Sequence, residues 1–135
     1  MKAIRIPYHD AVEIADGIHA FAAEPNGGVI VMPPPPTATN RQLIIRLAAQ
    51  HQLPTIYPNR VHVVAGGLMS YGTAPAFLIT RAASFVDRIL RGAKVSELPI
   101  EYPNTFELVI NLKTAKALGL TIPETLLATA DEVIQ

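Results

Sequence analysis

Gly28–Met32 reads GVIVM, and the way this short run is taken decides the fold. A strand with only one face against a core alternates apolar and polar residues, whereas GVIVM is apolar almost throughout, as is FELVI at Phe106–Ile110. Strands covered by helices on both faces have that composition, and they occur in parallel sheets. Outward from these two runs, Ala3 to Ile6, Pro54 to Tyr57 and Leu68 to Tyr71 also read as strands. Helical periods fill the intervals. From Asp10, with Glu13 at the third position after the cap, a helix is predicted to about Ala23. It turns Ala11, Ile14, Ala15, Ile18, Phe21 and Ala22 inward. A second runs from about Asn40 to Gln50 with Leu43, Ile44, Leu47 and Ala48 inward, and Pro54 stops it. A third runs from about Ala74 to Arg91, with Pro75 at its start and Gly92 past its end. Its buried face is read as Leu78, Ile79, Ala82, Ala83, Val86, Ile89 and Leu90, and Phe77 falls on its polar face. Asn111 caps a short helix ended by Gly119, and Thr121, Pro123 and Glu124 mark another helix start. Val61 to Ala65 reads either as strand or as helix. Residues 1–135 thus form a single α/β domain: three layers, a mostly parallel sheet with helices on both faces, Rossmann-like.

Composition narrows the function. Eleven Lys and Arg balance eleven Asp and Glu, so no net basic field exists to attract nucleic acid. Zero cysteines exclude thiolate catalysis and thiolate metal sites. Pro7, Asp10, Glu13 and Asp16 interrupt any apolar region that a secretory signal would need, and no apolar run approaches the roughly 20 residues of a membrane span. Ser70 is not set in G-x-S-x-G, and Gly66, Gly67 and Gly72 do not make a dinucleotide fingerprint or a P-loop, so no cofactor is implied. His9, Glu13 and Asp16 share helical spacing, yet no second histidine joins them, and they read as a solvated helix start. The run Pro33–Pro36 reads as a stiff connection from strand to helix.

In open parallel sheets, ligands bind beyond the carboxyl ends of the strands. Those positions here hold Tyr8, His9, Asp10, Thr37, Asn40, Tyr57, Asn59, Arg60, Ser70, Tyr71, Thr73 and Asn111. Hydroxyls, amides, aromatic rings and one guanidinium suit the orientation of a small polar molecule, with Arg60 for a carboxylate and a tyrosine for an apolar body. No nucleophile and base can be paired among them, so the reading is a binding protein and not an enzyme.

From Leu53 onward, LPTIYPNRVHVVAGGLMSYG is followed by VDRILRGAK and then by FELVINLKTAKALGLTIP. These segments resemble the substrate-binding proteins of ABC transporters whose substrates are of the tryptophan/tyrosine type or unassigned, and the likeness covers essentially the whole chain. The resemblance implies two α/β lobes joined by a hinge, closing on a small amino-acid-like or aromatic ligand that is passed to a membrane permease, with a periplasmic location. This chain corresponds to the later part of such a protein. An earlier lobe, the first strand and helix of the later lobe, and an export signal lie outside what matches. Without a signal, a chain complete as it stands would be cytoplasmic. Tyr57, Asn59, Arg60, Ser70 and Tyr71 fit the family pattern as ligand contacts, while Pro34 and Ala74 stand where acidic residues are usual. The alternative is a truncated module whose main property is homo-oligomerisation, with Phe77 at the contact.

Overall fold

The structure, a computed structural model, describes residues 2–33 and 35–135. Among the described residues one five-stranded sheet runs in chain order: β1 (Val29–Ile30), β2 (Thr55–Tyr57), β3 (Met69–Thr73), β4 (Phe106–Asn111) and β5 (Glu132–Ile134). β1, β2 and β3 are mutually parallel, β4 is antiparallel to β3, and β5 is parallel to β4. FELVI is therefore the strand at which the sheet reverses. An apolar run reports burial and not direction, and the long path from β3 to β4 lets the chain come back the other way.

The helices follow the expected punctuation. α1 (Ala11–Ala22) starts at Asp10, whose carboxylate accepts from the Val12 and Glu13 amides at 2.9 Å. Glu13 reaches back to the His9 amide at 2.6 Å, one residue before the cap. α2 (Pro35–Thr39) begins inside the proline run, and Pro34 itself lies outside the described residues. α3 (Arg41–Gln50) buries Ile44, Ile45, Leu47 and Ala48. The ambiguous stretch is helical, as α4 (Arg60–Val64). α5 (Pro75–Leu90) ends before Gly92, whose φ of 99° needs a glycine. A single turn at Val95–Glu97 precedes β4. α6 (Leu112–Ala117) is capped by Asn111, whose Oδ1 accepts from the Thr114 amide at 3.1 Å, and α7 (Glu124–Leu127) follows.

Ile14 and Ile18 of α1, Val31, Ile44, Ile45 and Leu47 of α3, Leu53 and Tyr57 form one core cluster. It lies on a single face of the sheet. On the opposite face Ile30 is 74% exposed, and Met32 is also in solvent. GVIVM is thus covered on one side only, contrary to its apolar reading, and Ala3 to Ile6 forms no strand.

The largest departure is α5. Its amphipathic pattern predicts a buried stripe, yet none of its residues is buried; Ile79 is 69% and Leu90 82% exposed. Phe77, expected in solvent, is instead half-buried. The periodicity is real, but among the described residues no element covers that stripe. Its contact with the following loop includes a two-pronged bridge from Arg81 to Glu101.

Candidate functional site

β2 and β3 end side by side, and the link between them is steric. A Cβ on Gly72 would lie 2.0 Å from the Pro58 carbonyl oxygen. Only glycine lets the turn after β2 rest on β3, which sets Asn59 and Arg60 beside the strand that carries Ser70 and Tyr71. Gly67 plays the same part lower down: a Cβ there would meet the Tyr57 ring at 2.6 Å and the His62 carbonyl at 2.9 Å.

Register then sorts the five candidate residues. Tyr57 pairs with Ser70, so both point to the covered face, where they are 2% and 1% exposed. Burial pushes the Tyr57 hydroxyl up to about 12, against a smaller opposing effect of the Thr55 side chain. Its ring stacks on His62 with centroids 5.3 Å apart. His62 Nδ1 meets Asn59 Oδ1 at 2.9 Å, and its Nε2 is buried without a partner. Burial and the nearby Arg41 charge hold the His62 pKa below its usual value, outweighing the hydrogen bond at Asn59. Tyr57, His62 and Asn59 thus form a continuous support for the turn at 58–60.

Arg60 stands at the rim. Its Nε donates to Glu132 Oε2 at 2.5 Å and its Nη2 to Glu132 Oε1 at 2.7 Å, the bidentate geometry of guanidinium and carboxylate. Those hydrogen bonds raise the Arg60 pKa and hold Glu132 below the usual carboxylate range. Glu107, paired with Gly72 across β3 and β4, adds negative charge near Arg60. Tyr71 projects from the opposite face and is 56% exposed. It stacks on Phe106, its diagonal neighbour on β4, at 5.6 Å and 15°.

The five candidates therefore divide. Asn59, Arg60 and Tyr71 reach the open end of β2 and β3, while Tyr57 and Ser70 lie beneath them. Sequence reasoning missed Glu132, Phe106 and the supporting His62. Only His62 left a local trace, three residues after Asn59 on one helical turn; Glu132 and Phe106 arrive through β4 and β5, far along the chain.

Known proteins give the same assignment of type. The family model described as ABC transporter substrate binding protein matches residues 5–134. The fold is similar to the crystal structure of a conserved domain protein from Vibrio cholerae, at 26% identity and a TM-score of 0.83, covering 92% of this chain and 42% of that one. It is similar also to an ABC domain in complex with L-Trp from Streptococcus pneumonia, at 25% identity and a TM-score of 0.85, covering 96% and 44% respectively. A ligand-free, open substrate binding protein with adhesive properties from Clostridium difficile shares the fold at 21% identity and a TM-score of 0.63, covering 95% of this chain and 42% of that one. No curated protein matches the sequence. The chain spans less than half the length of each of these structures. No helix among the described residues is long and apolar enough to cross a membrane. On the match over residues 5–134, this chain belongs to the family of ABC transporter substrate-binding proteins.

Proposed function

We propose that this chain supplies one side of a binding site for a small amino acid, aromatic in its side chain, and carries out no chemistry on it. Arg60 takes the ligand carboxylate, Glu132 its ammonium group, and the Tyr71 and Phe106 rings offer apolar surface for its body. Asn59 contributes an amide, while Tyr57 and Ser70 hold these groups from below. The observation that carries the reading is the bidentate Arg60–Glu132 pair at the open strand ends, fixed charges of both signs, with the exposed Tyr71–Phe106 stack at the same end on the other face of the sheet. Zwitterion recognition needs that combination. The neighbour with L-Trp bound supports the ligand class. Delivery to an ABC permease and a periplasmic setting follow from the family reading.

Calorimetric titration with L-tryptophan, L-tyrosine and a panel of aliphatic amino acids tests it. Binding is expected for an aromatic member and is expected to be weak, because the opposing half of a two-sided site is not provided by these residues. Arg60→Ala should weaken it by about tenfold or more, as loss of a charge-assisted hydrogen bond does. Heat with none of the panel would overturn the reading.

A second reading, self-association, is favoured by one observation: α5 carries an apolar stripe with no buried residue. Unpartnered stripes of this kind are covered by a second copy or by another chain.

A further inference from the structure

Asn59 stands at the cap position of α4, yet its side chain makes no cap hydrogen bond. Its Oδ1 instead meets Nδ1 of His62, one turn on, at 2.9 Å. An amide oxygen only accepts, so Nδ1 carries the ring proton and Nε2 presents a bare lone pair. That nitrogen is buried without a partner, in a residue only 3% exposed. The ring lies nearly flat against Tyr57, at 22° and 5.3 Å. α4 packs chiefly against β2, β3 and β4, and α3 brings Arg41 near the ring. From β2 comes Tyr57, whose hydroxyl is neutral up to about 12. Tyr71 of β3 lies on the far face of the sheet, and Glu107 of β4 acts on Arg60 and not on His62. Arg60, on α4 itself, is held by Glu132. Among the described residues the charge acting on the His62 ring is therefore positive, that of Arg41.

We propose that His62 is a proton-operated latch on the turn at 58–60: the neutral ring holds Asn59 and Arg60 in the geometry that receives a ligand, and protonation of Nε2 releases them. A proton on Nε2 turns an unpaired acceptor into a buried donor with nothing to accept from it, and sets a second positive charge near Arg41. Water satisfies that donor only if the ring leaves Tyr57, and the bond to Asn59 goes with it. The released ring has the ordinary histidine pKa of about 6.5. The held ring has a lower one, through burial first and Arg41 second. The released state therefore takes up the proton more readily; its share grows as pH falls through about 6.5 and levels off below the pKa of the held ring. Ligand affinity is then greatest at neutral pH and declines in acid. That consequence rests on the proposed role of Arg60 as the carboxylate contact, whereas the latch itself is read without a ligand.

The test is an NMR titration of the whole chain from neutral pH to pH 5, first with no ligand. The His62 ring should titrate below about 6.5. Through that same midpoint the Asn59 and Arg60 amides should shift, and the nuclear Overhauser contact between the His62 and Tyr57 rings should fade. Arg41→Gln removes the facing charge together with a buried donor that has no acceptor, and should raise the shared midpoint. In His62→Gln the two amides should stay still over this range. A ring that titrates at about 6.5 or above, that never titrates while the chain is folded, or that titrates with its Tyr57 contact intact would overturn the proposal. So would a midpoint unmoved by Arg41→Gln. Repeating the titration with L-tryptophan should show affinity falling below the midpoint by at most about tenfold per pH unit, the limit for one linked proton. Affinity that holds steady while the ring leaves Tyr57 would overturn the link to binding. Absence of tryptophan binding at neutral pH would strike the ligand reading, and the ring contact and the two amides would still decide the latch.

Discussion

Gly72 holds the candidate site together through an absence of atoms. Because a Cβ there would strike the Pro58 carbonyl, and backbone yields less readily than side chains, Gly72→Ala is expected to destabilise by about 2 kcal/mol or more. It should also shift the Asn59 and Arg60 resonances. Urea denaturation and an NMR spectrum check the two parts separately. Arg60→Ala should behave oppositely: the pair with Glu132 is solvent-exposed, and exposed pairs add little to stability. Its melting temperature should stay near that of the parent while ligand binding falls, and a large loss of stability would make Arg60 a structural residue. His62 supplies the pH dependence. Its folded pKa lies below that of the unfolded chain, so the unfolded state binds the extra proton first as pH falls. Stability is therefore full above the ordinary histidine range and is lost as pH drops through about 6.5 and below. The paired carboxylates Glu132 and Glu101, whose pKa values are depressed, act only in a lower window, beneath the ordinary carboxylate value. Melting temperatures followed from neutral pH to pH 5 should fall, and His62→Gln should flatten the slope; an unchanged slope would remove His62 from the account.

At the scale of elements, α5 and β1 share one property, an apolar face that no element among the described residues covers. Substituting Ile79 or Leu90 by glutamate is expected to change stability by no more than about 0.5 kcal/mol, the range for exposed positions. The same substitutions should lower any self-association seen by sedimentation, and a loss of fold would mean that the stripe is covered after all. The same two elements show what was legible. Helix boundaries could be read closely because caps and breakers are local: Asp10, Asn111, Gly92 and Gly119 do in the structure what their types suggest. Burial could not, since GVIVM and the α5 stripe report what a strand or helix is built to be covered by, while coverage depends on partners elsewhere. Direction was equally hidden, and FELVI runs antiparallel to β3 despite its composition. β5 escaped because a strand of three residues carries little pattern and is defined by its pairing with β4. In the site, Asn59, Arg60 and Tyr71 followed from where strands end. Glu132 and Phe106 required the fold.

For the whole molecule, the central fact is that this member of a substrate-binding family spans less than half the length of the solved structures that share its fold. The strand ends carry a charged rim and an aromatic pair facing solvent, and the core cluster lies to one side of the sheet. A one-sided site should retain its chemistry and lose affinity, since a ligand clasped from one side keeps only part of its contacts. NMR titration of the labelled chain with L-tryptophan into the millimolar range tests this most directly, because it reports both weak binding and its location. The account predicts saturable shifts at the amides of Asn59, Arg60, Tyr71 and Gly72, absent in Arg60→Ala. No shifts at any concentration, or shifts confined to residues away from the ends of β2 and β3, would contradict it.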